Sequence, residues 1–134
     1  MPAVVLDTDV VSMEFKRDTR YRAYHPHLAG RLLVVSFMTL AELDFWALRR
    51  NWGERRREQM DRHLKKFLLH PYDRQLCREW AHVTDMAMRN GKPVATADAW
   101  IAATALLHGI PLVTNNPADY SGVDELVVVS EAMH

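Results

Sequence analysis

Five acidic residues stand where apolar chain gives way to polar turn. Asp7 and Asp9 flank Thr8 directly after the apolar run Ala3–Leu6. Glu42 lies among apolar neighbours in Thr39-Leu40-Ala41-Glu42-Leu43, and Asp98 opens the apolar stretch Asp98–His108. Asp119 sits in the polar turn Thr114-Asn115-Asn116-Pro117-Ala118-Asp119-Tyr120. Each has a structural explanation by itself. An Asp after a strand can cap the next helix, Thr39 and Glu42 have capping-box spacing, the helix dipole favours Asp98, and Asp119 is an ordinary loop residue. What sets Asp7, Glu42, Asp98 and Asp119 apart is a shared position, just past a strand or in the first turn of a helix. Clustered carboxylates repel, and burial raises the cost of ionising each unless a cation compensates. Hard oxygen ligands without a Cys or a paired His select Mg²⁺ or Mn²⁺. Such an ion activates water and neutralises a leaving oxygen, the chemistry of phosphoryl transfer or phosphodiester hydrolysis.

The elements that must position these acids follow from hydrophobic periodicity. Ala3–Leu6, Leu32–Phe37, Pro111–Thr114 and Leu126–Val129 are short apolar runs of the kind that fill a parallel sheet buried on both faces. Between them, helical spacing predicts Thr39–Arg50, with Thr39 available as cap, then Gly53–Leu69, Asp73–Asn90 and Asp98–His108. The last is nearly all Ala, Leu and Ile, which marks a central, buried helix. Strands alternating with helices predict a single α/β domain over residues 1–134, with right-handed crossovers. Ligands of such sheets gather beyond the C-terminal strand ends, where the acids lie.

The charge balance hides an uneven distribution. The chain has 17 Lys plus Arg against 17 Asp plus Glu, for a formal net charge of zero. Every basic residue lies between Lys16 and Lys92, flanked by acidic ends. From Arg49 to Lys66, basic residues including Arg49, Arg50, Arg55, Arg56, Arg57 and Arg62 face only Glu54, Glu58 and Asp61. Such a run is a solvated helix face or a basic surface able to hold nucleic-acid phosphates. Trp46 and Trp52 can pack in the core or stack on bases. A 49% apolar fraction excludes a disordered tail, and one cysteine excludes a disulfide-stapled miniprotein. Cys77, in helical register with Trp80 and Val83, reads as a buried structural thiol. No apolar run approaches the roughly 18–20 residues of a membrane span, and the N-terminus lacks signal-peptide character. The expected compartment is a reducing cytoplasm.

Val5-Leu6-Asp7-Thr8-Asp9-Val10, Thr39-Leu40-Ala41-Glu42-Leu43, Asp98-Ala99-Trp100-Ile101-Ala102-Ala103 and Leu112-Val113-Thr114-Asn115-Asn116 together resemble the PIN-domain ribonucleases. In particular they resemble the toxin of bacterial and archaeal VapBC toxin–antitoxin pairs, in order, spacing and length. The resemblance implies a five-stranded parallel sheet flanked by helices, dependence on Mg²⁺ or Mn²⁺, and endonucleolytic cleavage of RNA. It also implies a small antitoxin that occludes the site, and frequent homodimers. By position, Asp7, Glu42 and Asp98 match acids that serve the metal centre of the family. Asp119 matches the fourth acid of some members, while Asn116 stands where others carry Asp and is a neutral ligand or water-positioning residue. Thr8 and Thr114 match supporting hydroxyl positions. Asp9 departs from the common Asn and is expected to cap the following helix.

Two other readings use the same acids. Asp7-Thr8-Asp9-Val10-Val11 fits the opening of a haloacid-dehalogenase-like phosphatase, but no acidic pair follows a later strand and the chain is short. A phosphoacceptor signalling domain wants a Lys ending a late strand, and none follows Lys92. A PIN-like module that binds without cutting would have little reason to keep four acids.

Overall fold

A strand apolar on both faces needs partners on both edges and helices above and below. In the computed structural model, which describes residues 2–132, β1 (Ala3–Leu6) is the central strand of a five-stranded parallel sheet of order β3-β2-β1-β4-β5. The other strands are β2 (Leu32–Ser36), β3 (Leu68–His70), β4 (Leu112–Val113) and β5 (Val128–Val129). The helices are α1 (Thr8–Phe15), α2 (Tyr21–Leu28), α3 (Phe37–Arg49), α4 (Glu54–Leu64), α5 (Arg74–Arg89) and α6 (Thr96–His108).

The pleat of β1 divides the core in two. Val4 and Leu6, with Val35 and Val113, face Val10, Tyr24, Leu43 and Met60 from α1 to α4. Val5, Val34 and Leu112 face Leu76, Val83, Ile101 and Ala102 from α5 and α6 on the other side. Ala99, Ile101, Ala102, Ala103 and Ala105 are all fully buried, as the apolar composition of α6 requires. The small alanines also let α6 pack closely against the sheet and α5.

Topology decides where the acids meet. Strand order reverses at β1, whose partners β2 and β4 are reached by separate crossovers, and this leaves a crevice at the C-terminal strand ends. Val5 pairs with Val34 and with Leu112, so Asp7, Ser36 and Thr114 come to one edge. Because β4 is parallel to β1, α6 must run back to start it, which places the first turn of α6 at that same edge.

Several boundaries differ from those expected. Helix α3 begins at Phe37 rather than Thr39, since Ser36 is the cap and its hydroxyl accepts from Met38 N–H at 3.1 Å. The helix expected over Gly53–Leu69 stops at Leu64, and its last residues form the edge strand β3. Leu64, Phe67 and Leu68 have helical spacing, but pairing of Leu68 and Leu69 with Val34 and Val35 outweighs it. No helix was expected over Tyr21–Leu28, a His- and Arg-rich segment with Pro26 inside it. Only Tyr24 and Leu28 of that helix are buried. Cys77 is half-buried, not sealed in the core; α5 buries Leu76, Val83 and Ala87 instead.

Candidate active site

Asp7 joins the last residue of β1 to α1 in an extended conformation, as N-cap of that helix. Its Oδ1 accepts from Thr8 N–H at 2.7 Å. Its Oδ2 accepts from the Thr114 hydroxyl at 2.7 Å and the Tyr120 hydroxyl at 2.9 Å. Thr114, directly after β4, is oriented in turn by Asn116 N–H, which donates to its Oγ1 at 3.0 Å. Asp7 is only 6% exposed. Burial pushes its carboxyl above the ordinary range; the three donors oppose that rise and the Asp119 charge adds to it.

Glu42 projects from the second turn of α3 to the same edge. The Thr8 hydroxyl donates to Glu42 Oε1 at 2.8 Å and lies 2.9 Å from the Thr39 hydroxyl. A hydroxyl has one proton, so Thr8 gives its own to Glu42 and accepts that of Thr39. The capping-box reading of Thr39 and Glu42 is therefore corrected. Thr39 is fully buried inside the helix and fixes Thr8, and Ser36 does the capping. Burial, and then the Asp7 charge, push Glu42 up against the opposing hydrogen bond from Thr8.

Asp98 is half-buried in the first turn of α6, two residues inside a start at Thr96 that has no side-chain cap. Burial and then the charges of Asp7, Asp119 and Glu42 push it up to about 7. All four predicted acids are thus within electrostatic reach of one another. Asp119 is the exposed member, on the 3-10 turn Pro117–Tyr120 that follows β4. Tyr120, which ends that turn, is a member of this acid cluster that the sequence alone did not reveal. Its buried hydroxyl lies 2.9 Å from Asp7 Oδ2 and 3.4 Å from Asp98 Oδ1. Burial and the surrounding carboxylates hold its phenol strongly in the neutral, donating form. One aromatic closing a polar turn was the available signal.

Asp9 does not cap α1, a correction to the expected role. Besides Val10 N–H, it accepts from Asn115 N–H at 3.0 Å and from Asn116 Nδ2 at 2.7 Å. It therefore ties the loop after β4 to the start of α1, and Asn116 spends its amide nitrogen on that tie. Burial and the Asp7 charge push Asp9 up to about 6. Of the arginines predicted to meet RNA, Arg50 lines a groove that also reaches Asp9. Arg49 and Arg50 end α3, Arg55 and Arg56 begin α4, and all four are exposed. Arg50 lies over the Trp46 ring, and both Trp46 and Trp52 pack partly against the core.

The donors are all hard oxygens, and burial, reinforced by their mutual charges, raises three of the acids together, a cost that a divalent cation relieves. In the arrangement described, the Tyr120 hydroxyl lies between Asp7 and Asp98. Among the described residues, no three His, Cys, Asp or Glu side chains are drawn together tightly enough to ligate an ion as they stand. The donor set fits a Mg²⁺ or Mn²⁺ ion in kind.

Known proteins resemble this chain over most of its length. The PIN domain model matches residues 4–125. The VapC ribonuclease Y4jK of Sinorhizobium fredii is 31% identical over 131 residues, covering 90% of this chain and 94% of that protein. The crystal structure of FitAcB from Neisseria gonorrhoeae superposes with a TM-score of 0.80 at 26% identity, covering 95% of this chain and 96% of the other. The DNA-bound VapBC of Salmonella typhimurium shares the fold, with a TM-score of 0.84 at 24% identity over 97% and 98% of the two chains.

Proposed function

The chain belongs to the PIN-domain family, and from that we propose that it is a metal-dependent endoribonuclease acting as the toxin of a type II toxin–antitoxin pair. The observation that carries this reading is the convergence of Asp7, Glu42, Asp98 and Asp119, from four separate segments, on one sheet edge. Relatives across nearly the full length are a ribonuclease and a toxin by name, which makes RNA the substrate and an antitoxin protein the partner. The compartment proposed is the cytoplasm, where RNA is met.

In this reading Asp7, Asp98 and Asp119 hold Mg²⁺ or Mn²⁺, and Glu42 completes the catalytic set. A divalent ion bound there supplies an activated water and offsets charge on the leaving oxygen. The chain's own residues prepare the site. Thr114 and Tyr120 fix the Asp7 carboxylate from two sides, and Thr39 through Thr8 fixes Glu42 Oε1. Oε2 of Glu42 is left for proton exchange with water. Asp9 holds the β4 loop against α1, so Thr114 and Asn116 keep their places.

The test is hydrolysis of a labelled single-stranded RNA and of a generic phosphomonoester, each with Mg²⁺, with Mn²⁺ and with EDTA. Internal cleavage of RNA that requires the ion is the expected result. Phosphomonoester hydrolysis with intact RNA would point to phosphatase chemistry instead, and RNA binding without cleavage would leave a non-cutting module.

A further inference from the structure

A cleft of about 550 Å³ opens at the far end of α1 from Asp7, between that helix and α4. Its charged walls are Lys16, Arg17, Arg56, Arg62, Lys66 and Glu14. Glu14 pairs with Lys66. Among the described residues, Lys16, Arg17, Arg56 and Arg62 have no salt-bridge partner. His63, behind them, donates from Nε2 to the Val11 carbonyl at 3.2 Å and is held neutral by burial. Four unpaired cations in one concavity focus a positive potential that attracts polyanions.

Three further features show that the cleft is shaped and not merely charged. Arg17 occupies the left-handed region, with φ 55°. At the equivalent place after α3 and α5 the chain uses Asn51 and Gly91, the residue types that adopt it cheaply. Arg17 N–H to the Glu14 carbonyl and Asp18 N–H to the Met13 carbonyl close the helix end there, so an arginine is held at a backbone cost with its side chain on the cleft wall. Arg56 is stacked 4.7 Å from the Phe15 ring centroid and 4.9 Å from that of Trp52, which holds its fork in one plane. Finally, the cleft leads back to the acids. Lys16 also lines a smaller groove with Asp9, Arg20, Trp46 and Arg50. That groove follows α1, which at about 1.5 Å per residue puts the two sites about 12 Å apart.

We propose that this cleft is a phosphate-binding subsite that grips the backbone of single-stranded RNA a few nucleotides from the bond cut at the acid cluster. The proposal rests on the ribonuclease reading and extends it. Arg17, Arg56, Arg62 and Lys16 meet phosphates, and Trp46 lies along the path between the sites. Of the arginines expected from the sequence, Arg56 belongs to this surface and Arg50 to the connecting groove, whereas Arg49 and Arg55 line neither.

The test is anisotropy of a fluorescein-labelled single-stranded RNA in EDTA across a salt series, with cleavage of the same RNA in Mn²⁺. The proteins are the parent chain, Arg17→Gly, Arg62→Gln, the double variant, and Arg78→Gln on α5 as a charge control. The double variant is expected to bind several-fold more weakly. Its slope of log K against log salt should be shallower by about 0.7 for each phosphate no longer neutralised. It should also cut more slowly at limiting RNA, while Arg78→Gln behaves as the parent. Melting curves confirm that each variant is folded. If the parent binds and cuts RNA but the double variant matches it or the control, the subsite is wrong and the ribonuclease reading stands. A parent that neither binds nor cuts RNA would overturn the functional reading itself.

Discussion

At the N-terminal end of α1, each acid but Asp119 is held by donors from other elements; at its C-terminal end, the cations are exposed and nearly unheld. Asp7 accepts three hydrogen bonds and Asp9 three, from residues up to 113 positions away in sequence. Arg17 and Arg62 have no side-chain partner among the described residues, and Arg56 is fixed only by aromatic faces. The difference follows from what each site must do. Like-charged acids must be fixed against their own repulsion to receive one small ion, and that takes buried, registered hydrogen bonds. A backbone grip needs charge density and reach, and tolerates loose geometry, because phosphates are met by long side chains in water. The buried end is therefore sensitive to single atoms, and the exposed end to charge.

The largest break of that contrast is Asp98→Asn. It removes a proposed ligand and should abolish cleavage, by at least about 100-fold on the scale of a deleted electrostatic interaction in a catalytic site. It should also stabilise the metal-free protein at pH 8, since the carboxylate is costly there. A variant that cuts RNA at the parental rate would remove Asp98 from the site. A smaller loss tests Tyr120. Tyr120→Phe keeps the ring and deletes the hydroxyl shared by Asp7 and Asp98. Orienting groups of this kind are worth about 10–100-fold in metal affinity or activity. Raising Mn²⁺ should recover part of the Tyr120→Phe defect, whereas a purely structural lesion would not respond.

Much of the acid site was legible because its residues break local rules. An Asp at the end of a buried strand, or a Glu inside an apolar turn, stands out from its neighbours. Thr39 and Tyr120 were illegible as functional groups because their partners are distant in sequence. Thr39 looks like a cap until Ser36 is seen to do that work, and Tyr120 looks like core until its hydroxyl is traced. Strand β3 was hidden for a different reason: Leu68 and Leu69 are exposed on an edge strand and continue the helical spacing of α4. The basic cleft was half legible. Composition located the charge in the middle of the chain, but only the fold brings Lys16 and Arg17 opposite Arg56 and Arg62.

Stability against pH gives a subtler reading of the acid end. Asp98 rises from an ordinary 3.8 to about 7, and Asp9 from 3.8 to about 6. The metal-free folded state therefore binds these protons more tightly than the unfolded chain. The stability so gained is full below about pH 4 and is lost as pH rises through 6 and 7. His63, pushed down by burial, acts in the opposite direction below its ordinary 6.5. The parent and Asp98→Asn share that histidine, so it cancels from their difference. In EDTA, the melting temperature of Asp98→Asn relative to the parent should climb between pH 5 and pH 8. A difference that stays flat would mean that Asp98 is not raised.

The smallest effect sharpens the other end. If Arg17 is kept in the left-handed region for its charge, Arg17→Gly should relieve strain of roughly 1–2 kcal/mol. The greater freedom of glycine in the unfolded chain returns about 0.4–1 kcal/mol of that. The surplus, up to about 1.6 kcal/mol, corresponds to a rise of at most about 6 °C in melting temperature for a chain of this size. Lys16, whose ammonium is pushed down by burial and by the charges of Arg50 and Arg56, also loses a cationic neighbour in the cleft. A gain in melting temperature together with weaker RNA affinity is the signature of a residue retained for binding against stability. A drop in melting temperature would instead make Arg17 a structural cap, held in the left-handed region by the fold and not by the need for a cation in the cleft.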